Sequence, residues 1–147
     1  MKKIILLLSL VIITGISSVF AGDVSQISPR VRSAFKKDFS LAENVLWSAE
    51  GKYLRARFTI SDIQIEAFYT EKGSLIGSSR DLLFYQLPLS IVLEFNKHFD
   101  ESSVTRIMEV AGTEGSSYRI WLEKNDRILK LIAAPDGNIT VIRKLKK

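Results

Sequence analysis

Val31, Phe35 and Phe39 recur every four residues, and sixty residues later Ile91, Phe95 and Phe99 recur at the same spacing. A four-residue apolar spacing places its members on one face of a short amphipathic helix. Ser28-Pro29 supplies an N-cap followed by proline at the first helical position, and Pro88 opens the second stripe. One offset shared by three positions points to an internal duplication, the feature that most restricts the folds open to this chain.

Strand-like runs follow each stripe. In the first copy these are 44–49, 53–60, 63–70 and 74–78, with Ser61-Asp62 as a tight hairpin and Glu71-Lys72-Gly73 as the next turn. In the second they are 104–111, 117–123, 127–133 and 139–143, with turns at Asn125-Asp126 and at Pro135 to Asn138. Gly73 and Gly137 fall at the same place in the two copies, where a positive φ is expected. Each unit thus reads as one helix followed by four antiparallel strands. One such unit has too few apolar positions to bury both. The expected fold is α+β: a tandem duplication, with both helices on one face of a shared eight-stranded sheet. The repeats are expected at about 28–82 and 87–143, within a single domain over 22–147.

The N-terminus has a different composition. Lys2 and Lys3 precede an apolar run from Ile4 to Ile13, and Val19-Phe20-Ala21 resembles a signal-peptidase site. We expect a secretory signal over 1–21, cleaved after Ala21, with no later run long enough to span a membrane. The expected location is the periplasm or the outside. Without cysteine the chain has no disulfide, no thiolate metal site and no lipidated N-terminal Cys.

The formal charge of +5 belongs to the ends. Lys2, Lys3, Arg143, Lys144, Lys146 and Lys147 are six of the 21 basic residues, which leaves 15 against 16 acidic ones elsewhere. A nucleic-acid partner, which calls for a basic face on the folded body, is not expected. The basic tail reads as a solvated terminus or as an attachment to an anionic surface.

Strand parity sorts the remaining side chains. Leu54, Ala56, Phe58 and Ile60 share one face of their strand, and Tyr53, Arg55, Arg57 and Thr59 share the other. In the same way Glu66 and Phe68, Arg119, Trp121 and Glu123, and Ile128, Lys130 and Ile132 turn away from the helices. Trp47 shares parity with Val45 and is expected in the core. The outward set is rich in Arg and aromatic residues, as recognition surfaces are. It also fits an ordinary solvated sheet face with cross-strand ion pairs. The candidate partner-binding residues are Tyr53, Arg55, Arg57, Glu66, Phe68, Arg119, Trp121 and Lys130.

Catalytic signals are sparse. His98, the single histidine, is expected as a half-exposed residue near the end of the second helix. No nucleophile elbow, phosphate loop or calcium loop is present. Asp100-Glu101 and Asp136-Gly137-Asn138 read as turns. No catalytic residue, metal or cofactor is expected. Two other readings stay open: a small-ligand carrier or enzyme using a cleft between the repeats, with His98 and Tyr53 as its polar groups, and self-association through a sheet edge.

Several of these residues also form a familiar pattern: Val31-x3-Phe35-x3-Phe39, Ala42-x-Asn44-Val45-x-Trp47, Tyr53-x2-Ala56-x-Phe58, Ala67-x-Tyr69-x3-Gly73-x2-Ile76, then Leu87-Pro88. It resembles the PepSY-like proteins, which are similar to the β-lactamase-inhibitor-protein fold. The resemblance implies small, exported, non-enzymatic proteins of Gram-negative envelopes, built from tandem helix-plus-four-strand units. In the inhibitor, the exposed concave sheet face grips a partner protein. The corresponding expectation here is an exported or envelope protein held around Arg55, Arg57, Phe68, Arg119 and Trp121. The inhibitor relies on disulfides and this chain has none, so inhibition of a β-lactamase does not carry over.

Overall fold

Each helix begins at the proline that marks it in the sequence. The structure, a computed structural model, describes residues 27–146; the leader expected over 1–21 and Lys147 lie outside the described residues. Helix α1, Pro29–Asp38, is capped by Ser28, whose hydroxyl accepts a hydrogen bond from the Val31 amide at 3.4 Å. Helix α2, Leu89–Phe95, has Pro88 at its N-cap and ends at Asn96. Phe99, expected on the second helix, therefore lies beyond it. The Phe99 N–H still donates to the Phe95 carbonyl at 2.9 Å, as Phe39 does to Phe35 at 2.8 Å. The two ring pairs are also alike, 5.6 Å apart in the first unit and 5.1 Å in the second.

After α1 come strands β1 (Glu43–Glu50), β2 (Tyr53–Ile60), β3 (Ile63–Thr70) and β4 (Leu75–Leu82). After α2 come β5 (Val104–Gly112), β6 (Gly115–Lys124), β7 (Arg127–Ala133) and β8 (Ile139–Lys146). All eight form one antiparallel sheet in chain order, with β4 paired to β5 across the junction of the two units. Asp100 opens a short 3-10 turn ahead of β5.

Both helices press their apolar stripes onto the same sheet face. In the first unit Val31 and Phe35 pack with Ala56, Phe58, Ala67 and Tyr69, and Trp47 joins this cluster as expected. Phe35 is the hub of its rings, 5.0 Å from Phe58 and 5.3 Å from Trp47 in edge-on contacts. In the second unit Ile91 and Phe95 pack with Ile107, Tyr118, Ile120, Leu122, Leu129 and Leu131.

Tyr69 is fully buried, and its hydroxyl donates to Asp38 Oδ2 at 2.9 Å, tying the end of α1 to the sheet. Burial, and then the Asp38 carboxylate, push the phenol above the usual tyrosine range. Above about pH 10 the folded state thus keeps a proton that the unfolded chain releases, so stability falls as pH rises. We expect Tyr69→Phe to lose about 1–3 kcal/mol at neutral pH and to show a shallower alkaline decline than the parent, measured by urea unfolding at several pH values.

The two turn glycines play one role. Gly73 (φ +84) and Gly137 (φ +97) donate to Thr70 and Ala134 in matching turns. A Cβ on Gly73 would lie 3.3 Å from the Arg30 carbonyl oxygen, and one on Gly137 would lie 2.9 Å from that of Ser90. Arg30 and Ser90 are again sixty residues apart. Both turns thus pack their glycine against the start of their own helix. Gly137→Ala is expected to cost about 2 kcal/mol or more, against about 1 kcal/mol for Gly115→Ala, whose Cβ would meet open space; thermal unfolding of both variants checks this.

Candidate functional site: the helix-free sheet face

With both helices on one face, the opposite face of the sheet is left open among the described residues. The eight candidate residues lie there by strand register. Arg55 pairs with Phe68 across β2 and β3, and Arg57 with Glu66. Trp121 stands between Arg106 on β5 and Lys130 on β7. Tyr53 lies at the start of β2, and Arg119 pairs with Met108 and Ile132.

The two halves of this face differ in electrostatics. In the first unit each arginine has a carboxylate. Arg57 donates to Glu66 Oε1 through Nε at 2.9 Å and Nη2 at 2.8 Å, and Arg55 reaches Glu50 at 2.9 Å. In the second unit Arg106 is held by Asp81, with Nε 3.0 Å from Oδ1 and Nη2 3.3 Å from Oδ2. Its guanidinium lies 5.4 Å from the Trp121 ring centre, and Lys130 Nζ lies 4.9 Å from it. The half-buried indole is thus flanked by two cations, an arrangement that fixes its ring while leaving an edge accessible.

A depression of about 600 Å³ crosses the junction of the units on this face. Arg57, Glu66, Ser79, Asp81, Arg106 and Met108 line it. Four of these, Ser79, Asp81, Arg106 and Met108, are not among the candidates drawn from sequence. They come from β4 and β5, whose register across the junction no local pattern fixes.

On the helix-bearing face the same junction is bridged by polar side chains. Arg80 Nε donates to Glu109 Oε2 at 2.7 Å, and the Tyr118 hydroxyl donates to Glu109 Oε1 at 3.2 Å. Burial, followed by the Glu109 charge, raises the Tyr118 phenol, with Arg80 acting in the opposite direction. His98 belongs to neither arrangement. It is exposed, in the turn after α2 and not on the helix, with Nε2 3.4 Å from Glu94. Neither His98 nor Tyr53 lines the depression. A different apolar surface sits on the helix side, where Tyr85, Leu89 and Leu93 are 78%, 70% and 59% exposed. Among the described residues no helix is long and apolar enough to cross a membrane, and no cluster of ligating side chains suits a metal ion.

These features define an α+β protein of two helix-plus-four-strand units with one open sheet face. Solved structures share the arrangement. A BLIP-like protein (one resembling the β-lactamase-inhibitor protein) from Bacteroides fragilis superposes with a TM-score of 0.73 at 14% identity, covering 82% of this chain and 87% of that one. A protein from Bacteroides eggerthii, provisionally described as periplasmic, gives 0.69 at 19% identity, covering 80% and 86%. A DUF2874 family protein from Bacteroides uniformis gives 0.68 at 18% identity, covering 80% and 87%. No protein-family model and no curated protein matches the sequence. The chain therefore has the BLIP-like fold, and the likeness extends to fold alone.

Proposed function

We propose that this is an exported, non-enzymatic binding module that holds a protein partner on the open sheet face, in the manner of an inhibitor. The observation that carries the reading is Trp121, half-buried between Arg106 and Lys130 on a face that no other described element covers. Aromatic and arginine side chains in a desolvated centre are the groups that dominate protein recognition. The depression beside Arg106 offers a seat for a protruding side chain of the partner. Phe68 and Tyr53 extend the surface across the first unit. Export rests on residues 1–21 as a cleaved signal, with a mature chain starting at Gly22, which N-terminal sequencing of the secreted protein checks.

The test is paired capture from an envelope extract, with the parent chain and a Trp121→Ala/Arg57→Ala variant as baits. A protein retained by the parent and lost by the variant, both folded by circular dichroism, is the expected result. Equal retention by the two baits would overturn the reading and direct attention to Tyr85, Leu89 and Leu93.

A further inference from the structure

Among the described residues, the second half of the open face carries an excess of positive charge. Arg106, Trp121, Lys130 and Arg143 stand in one row across β5, β6, β7 and β8, each directly opposite the next. Arg119 lies two residues before Trp121 on the same face. Asp81 holds Arg106. Among the described residues, none of Arg119, Lys130 and Arg143 has an ion-pair partner. Lys130 directly opposite Arg143 is an unfavourable cross-strand pair unless an anion lies over it. The first half of the face shows the contrast, since Glu50 and Glu66 neutralise its arginines.

From this asymmetry we infer that the partner presents an acidic protein patch over the second unit, with carboxylates over Lys130, Arg143 and Arg119 and an apolar group against Trp121. The inference rests on the reading of the open face as a protein-binding surface and adds the partner's chemistry. The row spans about 14 Å, three strand spacings, so one phosphate or one carboxylate cannot bridge it. An extended polyanion such as a nucleic acid or an anionic bilayer would also run over Glu50 and Glu66. A protein patch meets cations at one end of the face and carboxylates at the other.

The probe is a labelled peptide of about six residues, glutamates around one leucine, short enough to cover the row alone, with binding followed by tryptophan fluorescence and by the anisotropy of the label. Three charges are removed from the row in Arg119→Gln/Lys130→Gln/Arg143→Gln. The same number is removed from the helix side in Lys36→Gln/Lys37→Gln/Lys72→Gln. The row variant should bind at least about tenfold more weakly, the helix-side variant should stay within about twofold of the parent, and binding should weaken as salt rises. Lys130→Arg should retain affinity. The row variant should melt within a few degrees of the parent, because relief of repulsion offsets the lost Lys130–Trp121 contact. No binding, equal loss in both variants, a markedly lower melting temperature of the row variant, or tighter binding of an oligonucleotide or of phosphatidylglycerol vesicles through the same three cations would overturn the inference. If paired capture depends on Trp121 and Arg57 but is indifferent to the row variant, the acidic-partner inference fails alone. If capture does not depend on the face at all, the broader reading fails.

Discussion

Phe35→Ala is expected to lower stability by about 3–5 kcal/mol and the melting temperature by about 10–20 °C. The Phe35 ring is 5% exposed and touches Phe39, Trp47, Phe58 and Tyr69, which belong to four different elements or turns of the first unit. Removing it leaves a cavity that no neighbour can fill without breaking edge-on ring contacts. Small domains have total stabilities of about 5–15 kcal/mol, so the variant would be close to unfolded at body temperature. Phe68→Ala, on the open face, is expected to cost about 1 kcal/mol or less. Chemical denaturation of the two variants side by side checks the assignment, and a loss below about 1 kcal/mol for Phe35→Ala would contradict the placement of the core.

Trp121→Ala is expected to do the opposite: weaken partner binding by about 2 kcal/mol or more, roughly thirtyfold, while changing stability by about 1 kcal/mol or less. The indole lies on the face opposite the helices, and the two cations beside it are each worth about 0.5–1 kcal/mol at an exposed site. Its share in the folded state is therefore small, and its share in an interface that excludes water is large. Titration of the captured partner against both proteins measures the first quantity, and thermal unfolding measures the second. A large loss of stability with unchanged affinity would show that Trp121 serves the fold.

The fold was legible because its constraints repeat. The sixty-residue offset of the two stripes, the turn glycines and strict alternation in β2, β3, β6 and β7 are local patterns, and each has one physical cause. Three boundaries were less legible, and one is the last strand, which was expected to stop at Arg143 and runs to Lys146, pairing the basic tail with β7. The fourth strand was expected to stop at Ser78 and runs to Leu82. Its helix-side residues Ser78 and Arg80 are polar because they face Ala111 and Glu109 at the junction and not a helix, so no apolar alternation marks them. Phe99 keeps the helical spacing but not the helix, since Asn96 to Phe99 close the end of α2 through short-range hydrogen bonds.

The eight surface candidates followed from parity within single strands. Asp81, Arg106 and Met108 did not, because their neighbourhood is made by pairing β4 with β5 across residues 83–103, which are arranged as a helix and turns. Arg143 was read as the end of the last strand and as part of a basic tail, not as a member of the open face. Its position opposite Lys130 depends on the irregular register between β7 and β8. Which faces exist was a local question, and which charges meet on them was not.

The most direct measurement is hydroxyl-radical footprinting of the chain with and without its captured partner. The account expects protection of Trp121, Phe68 and Met108 on the open sheet face, with Tyr85, Leu89 and Leu93 on the helix side as reactive as in the free protein. Protection of Tyr85, Leu89 and Leu93 with Trp121 unchanged would contradict it.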